Sequence, residues 1–211
     1  MKQDLAIFGA GGFGRELACM VREMSQDWNL LGFFDDAYPV GTKRSHWSVI
    51  GGLQELNTWP EPIAVAMAVA TPKTMIKLLG MITNPMVKYP NIIAPDTLWI
   101  DPESCGIGQG NIVTRRCTFS CNVRIGNFNI INGDAVLGHD TTVGNYNAFM
   151  TSVRIAGEVS IGDRNYFGTS SVVLQQKRIG CDTTIGSGSV VMTNTKDNCT
   201  YIGNPATIFR I

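Results

Sequence analysis

The 211 residues carry 17 lysines and arginines against 17 aspartates and glutamates, for a formal net charge of zero. That balance leaves no basic footprint for nucleic acid or an anionic membrane, and it favours a small-molecule substrate. The length suits one large domain or two modest ones; no apolar run reaches membrane-spanning length, and the first residues show no secretory pattern, so a cytoplasmic protein is expected.

In chain order, Asp4 to Phe8 is a short apolar run that ends in Gly9-Ala10-Gly11-Gly12-Phe13-Gly14. An amphipathic helix follows, with Phe13, Leu17, Met20, Val21 and Met24 on its buried stripe. A second apolar run, Leu30 to Phe34, ends in Asp35-Asp36. Strand, Gly-rich turn, helix and strand, with acids about twenty residues past the glycines, match the dinucleotide fingerprint. Glycines let a backbone approach a pyrophosphate, and a helix N-terminus favours its charge; the same glycines also allow strand and helix to pack closely. Ala37 to Gly52 reads as a polar loop exposing Lys43, Arg44 and His46.

Ile63 to Ala70 reads as a buried parallel strand, and Pro72 opens a helix carrying Met75, Ile76, Leu79 and Ile82. Val87 to Ile93 reads as one more strand. The expected N-terminal domain is therefore a small Rossmann-like α/β unit over residues 1–94. A full dinucleotide domain needs two mononucleotide halves and there is room for little more than one, so a nucleotide-sugar fits better than NAD.

From Ile107 the pattern changes. Every sixth residue through Val191 is large and apolar: Ile107, Val113, Phe119, Ile125, Ile131, Leu137 and so on without a break. Neither a helix nor a flat sheet has that period, whereas a chain turning a corner after each short strand aims one large side chain inward per side. Residues 95–211 therefore read as a parallel β-helix of about five coils, three sides and about eighteen residues to a coil, stacked about 4.8 Å apart. Glycines often follow the key position, as at Gly126, Gly144 and Gly162, and are expected to supply the corner angles. Small or Asn side chains four residues after it, such as Asn129, Asn147 and Asn165, are expected inside. Trp99 and Ile100 are expected to cap the first coil, and Ile208, Phe209 and Ile211 to close over the last.

The six cysteines form no Cys-x-x-Cys pair and lie near no histidine cluster, which favours unpaired structural thiols over a metal or redox site. No metal is implied. The repeat holds one histidine, His139, with Asp140 beside it. An imidazole suits proton removal at neutral pH and a carboxylate can orient the ring; a surface histidine at a turn is the other reading.

The repeat resembles the left-handed β-helix acyltransferases of the hexapeptide superfamily, and Ile202-Gly203-Asn204-Pro205-Ala206 looks like their exit from the helix. The left hand is implied by that resemblance alone. The Gly-rich α/β domain, the repeat and the segment Ile131 to Asp140 together resemble the bacterial nucleotide-sugar N-acetyltransferases and sialic acid O-acetyltransferases, over nearly the whole chain. The resemblance implies an acetyl-coenzyme A dependent N-acetyltransferase acting on a UDP-, dTDP- or GDP-linked amino-sugar for a surface glycan. It implies a homotrimer with the donor between subunits. By position, His139 is the base, Asp140 its paired carboxylate and Asn132 the active-site asparagine. Gly9, Ala10, Gly11, Gly12, Phe13, Asp35, Asp36, Ala70 and Thr71 match the acceptor segments, and Ala148, Gly157, Thr169, Gly186 and Ser187 the donor segments. Members often carry histidine where this chain has Phe13 and Ala148. Sialic acid O-acetylation, NAD-dependent chemistry suggested by the glycines alone, and a non-catalytic β-helix scaffold are the alternatives.

Overall fold

The computed structural model describes residues 2–24 and 26–210 and divides into two compact units, Met1–Ile92 and Ile93–Ile211. The first contains, in order, β1 (Gln3–Phe8), α1 (Gly12–Glu23), β2 (Trp28–Phe34), β3 (Lys43–Arg44), β4 (Trp47–Gly51), α2 (Leu53–Asn57), β5 (Ile63–Met67), α3 (Pro72–Met81) and β6 (Val87–Lys88). The sheet order is β3-β4-β2-β1-β5-β6, parallel except for the β3/β4 hairpin. All five residues of β5 are buried, as a strand covered on both faces requires. From β1 the chain steps to β2 on one side and later to β5 on the other, so the strand order reverses at β1. In open α/β sheets such a reversal leaves a crevice at the carboxyl ends of the strands, where ligands bind.

Two segments differ from the sequence reading. Trp47–Gly51 pairs with β2 and with Lys43–Arg44 inside the stretch read as a loop; its apolar residues Trp47, Val49 and Ile50 are too few to stand out beside glycine and polar neighbours. Val87 to Ile93 is not one strand. Val87–Lys88 pairs with Ile63–Ala64, whereas Ile92–Ile93 begins a sheet of the β-helix, and Pro90, which has no N–H to donate, lies between them.

The second unit is a β-helix with three faces. The first carries Ile92–Ile93, Ile112–Val113, Ile130–Ile131, Ala148–Phe149, Tyr166–Phe167 and Thr184–Ile185 before the closing strands Thr200–Gly203 and Ala206–Ile208. The second carries Leu98–Trp99, Thr118–Phe119, Val136–Leu137, Arg154–Ile155, Val172–Val173 and Val190–Val191, and the third runs from Gly106–Ile107 to Arg178–Ile179. Strands pair with those eighteen residues on, as Phe119 with Leu137 and Ile131 with Phe149. The inward residues from Val113 to Val191 are buried in one continuous column, in which Phe149 and Phe167 stack with centroids 4.6 Å apart.

The corners are built differently from expectation. The left-handed backbone angle falls three residues after the key position and is held mostly by side-chain-bearing residues: Arg116, Asn122, Phe128, Asp134, Asp140, Tyr146 and onward to Asp182, with φ near 60°. That angle costs roughly 1–2 kcal/mol for a non-Gly residue, and a bond to the neighbouring coil offsets it, as Asp140 N–H donating to Cys121 O at 2.9 Å or Tyr146 N–H to Asn127 O at 2.9 Å. The glycine after the key residue answers to crowding instead: a Cβ on Gly126 would sit 2.6 Å from Gly144 O.

At the corner from the third face to the first, the buried asparagines form a ladder. Asn111 Oδ1 accepts Asn129 N–H at 2.8 Å, Asn129 Oδ1 accepts Asn147 N–H at 2.8 Å, and Asn147 Oδ1 accepts Asn165 N–H at 2.9 Å. The side chain thus supplies an acceptor where the turning backbone has none to spare. Of the expected caps, Trp99 packs against Phe119 with centroids 4.5 Å apart, whereas Ile100 and Phe209 are exposed; Ile211 lies outside the described residues. All six cysteines are free, and burial pushes the Cys117 thiol up to about 11.

Candidate active site

In the N-terminal unit the fold gathers the acceptor candidates at the carboxyl ends of β1, β2 and β5. Gly9 leaves β1 with φ +110°, and its N–H donates to Phe34 O at 2.8 Å. A Cβ on Gly14 would collide with Gly9 O, so glycine there serves close packing of helix on strand; Gly11 and Gly12 have nothing within 4 Å of an added Cβ. The fold itself does not need glycine at those two positions, and the first turn of α1 opens beside them. Phe13 lies in that turn, half-buried, and Ala70 and Thr71 lead into α3 with Thr71 exposed at its N-cap.

The two acids have defined partners. Asp35 accepts Ala10 N–H at 2.7 Å and Ala37 N–H at 2.9 Å, and so shapes the Gly-rich loop from beneath. Asp36 accepts Leu53 N–H at 2.9 Å, which caps the start of α2. Arg44 is closer to the loop than its place in a polar stretch suggests: Nε donates to Ala10 O at 3.0 Å and the guanidinium lies 4.4 Å over the Tyr38 ring. His46 is exposed and edge-on to Trp47 at 5.7 Å.

In the β-helix the candidates divide between two corners that border the second face. His139, Asp140 and Gly157 lie where the second face turns to the third; Asn132, Thr169, Gly186 and Ser187 lie where the first turns to the second. His139 and Asp140 are therefore brought together and Asn132 is not: it stands one side of the triangle away, with its amide 3.7 Å from Met150 Sδ. Ala148, inside a strand, is 2% exposed and offers no surface to a donor.

His139 Nδ1 is 2.8 Å from Asp140 Oδ2, and Asn122 Nδ2 donates to Asp140 Oδ1 at 3.0 Å. The hydrogen bond to His139, and then that from Asn122, hold the Asp140 carboxyl below the usual carboxylate range. An ionised carboxylate only accepts, so Nδ1 carries the proton, and in the neutral ring the lone pair is then on Nε2. Residue 157 stands one full coil beyond 139. A Cβ there would overlap the imidazole around Nε2, so the ring lies over a bare backbone whose Gly157 N–H donates to no protein acceptor among the described residues. A free base nitrogen and a free N–H, side by side at a half-exposed corner, can take a proton from a nucleophile and stabilise an oxyanion.

Sequence reasoning singled out His139, Asp140 and Gly157 but missed Asn122, Glu158, Gln175 and Gln176 at the same corner. The register of eighteen would have found them, since 122, 140, 158 and 176 form one column and 139, 157 and 175 the one beside it. Among the described residues there is no group of three His, Cys, Asp or Glu that could hold a metal ion, and no helix is long and apolar enough to cross a membrane.

Residues 4–82 match the PglD N-terminal domain family. Among solved structures, the acetyltransferase domain of PglB from Neisseria gonorrhoeae FA1090 in complex with acetyl coenzyme A is similar with a TM-score of 0.90 and 26% identity, covering 99% of this chain and 100% of that one. WeeI from Acinetobacter baumannii AYE gives 0.90 and 26% over 99% and 100%. PerB from Caulobacter crescentus, in complex with CoA and GDP-perosamine, gives 0.89 and 25% over 98% and 97%. Among proteins of curated function none matches.

Proposed function

We propose that this chain, a left-handed hexapeptide-repeat acetyltransferase with a PglD-type N-terminal domain, moves the acetyl group of acetyl-coenzyme A to the amine of a nucleotide-linked amino-sugar. The observation that carries the reading is the pair of free groups at one corner, His139 Nε2 and the Gly157 N–H. The relatives bound to acetyl coenzyme A, or to CoA and GDP-perosamine, supply the substrates that such a pair fits.

In the transfer, the sugar amine attacks the thioester carbon as His139 Nε2 removes a proton from it. Asp140 steadies the imidazolium and the Gly157 N–H donates to the oxyanion. Collapse breaks the C–S bond, and the imidazolium returns the proton to the departing thiolate. The products are an amide and coenzyme A.

The acceptor's nucleotide is assigned to the crevice beside Gly11 and Gly12, its pyrophosphate to the first turn of α1. Asp35 and Asp36 enter this reading as the groups that shape the loop. Replacing Gly11 with Val fills the open space without touching the fold, so the expected result is an unchanged melting temperature, a raised acceptor KM and an unchanged KM for acetyl-coenzyme A. A variant that loses donor affinity alone would move the acceptor site elsewhere.

A homotrimer completes the second corner. The second face exposes Leu98, Leu174 and Met192 and partly exposes Val136, Val172 and Val190 around one exposed cation, Arg154, whereas the third presents Arg124, Thr142, Ser160 and Arg178. Three copies around a closed axis would cover that apolar face and bring Asn132, Thr169, Gly186 and Ser187 of one copy to His139 of the next. Light scattering is expected to give three times the chain mass, and a monomer at micromolar concentration would overturn this assembly. Because acetyl-coenzyme A is an intracellular metabolite, the reading places the enzyme in the cytoplasm.

A further inference from the structure

Resting on the reading of His139 as base, we infer that Glu158 is a positioning residue for that imidazole, a second carboxylate clamped one coil beyond the ring so that its negative field favours the protonated form. Glu158 occupies the corner position of Asp140 one coil on, about 4.8 Å away along the stack. Its own N–H donates to His139 O at 2.7 Å. The residue before it, Gly157, is the bare backbone over which the imidazole lies.

An exposed glutamate ordinarily samples several rotamers. This one does not have that freedom, because Gln175 Nε2 donates to Oε1 at 2.9 Å and Gln176 Nε2 to Oε2 at 3.1 Å. Holding both oxygens with neutral amides fixes the charge without cancelling it, which a lysine or arginine would do. These two bonds hold the Glu158 carboxyl below its usual range, with the His139 field adding to them and the Asp140 charge opposing. The titratable groups at this corner are thus Asp140 beside the ring, Glu158 one coil beyond and, by register, Cys121 one coil before.

The sign follows. A fixed negative charge stabilises the imidazolium formed as the amine is deprotonated, so removing it lowers the pH at which the ring titrates. Two unit charges separated by somewhat more than one coil in a largely aqueous setting interact by about half a pKa unit. The chain has two histidines, so the ring signals are assignable with a His46→Gln variant. In the full-length protein, NMR titration is expected to show Glu158→Gln lowering the His139 midpoint by about half a unit, with the acid limb of kcat/KM moving the same way. Gln175→Leu combined with Gln176→Leu, which releases the carboxylate but keeps its charge, should shift both in the same direction by less, and it stands in if Glu158→Gln does not fold. Coincident His139 titration curves in wild type and Glu158→Gln would overturn the inference. A lowered NMR midpoint with an unmoved kinetic limb would support the field of Glu158 and overturn His139 as the base.

Discussion

Replacing His139 with Ala is expected to lower kcat by about 10²- to 10⁴-fold, the usual worth of a positioned general base, equivalent to about 3 to 5 kcal/mol on the barrier. The imidazole is half exposed, with 51% of its side chain accessible, so truncation leaves little cavity. Assembly and affinity for acetyl-coenzyme A should survive, and a variant keeping more than half of wild-type kcat would end the base assignment. Asp140→Asn should cost less, because the ring remains while its orientation and countercharge weaken. The depressed Asp140 carboxyl loses its stabilising charge only as pH falls through its folded value, below the ordinary carboxylate range. Activity lost on mild acidification therefore belongs to the imidazole and not to Asp140.

Phe149→Ala should be among the most damaging single changes to the β-helix. The ring is fully buried, stacked on Phe167, and its strand pairs in register with Ile130–Ile131 and Tyr166–Phe167. Phe→Ala in such a core costs about 3–5 kcal/mol, which lowers the melting temperature by roughly 6 to 20 °C at this chain length. Thr142→Ala, on the exposed third face, should change stability by less than about 0.5 kcal/mol. Equal effects from the two substitutions would contradict the inward assignment of the column.

That column was legible in the sequence because its period is set by the fold: one inward side chain per strand, three strands per coil. The register of eighteen follows from the same count, and it places Gly157 over His139 from the sequence alone. The corner chemistry was not legible. Glycines after the key residues suggested the left-handed positions, yet those fall two residues later on Asn122, Asp140 and Glu158, where interstrand bonds offset the strain.

In the N-terminal unit, Gly9 to Gly14 announced a close-packed turn, but which glycines serve packing and which leave room for a ligand depends on neighbours distant in sequence. Asp35 and Asp36 looked alike as ligands. One supports the Gly-rich loop and the other caps α2, a distinction that requires knowing where Ala10 and Leu53 come to lie. Asn132 and His139, seven residues apart, stand on different corners because one strand, Val136–Leu137, intervenes.

The most direct test is release of the coenzyme A thiol from acetyl-coenzyme A in the presence of UDP-, dTDP- and GDP-linked amino-sugars, with mass spectrometry of the acceptor. The expected result is thiol release that requires one of these acceptors, places an acetyl group on its amine and collapses in the His139→Ala variant. Release with free sialic acid alone, or with no acceptor in the panel, would contradict the account.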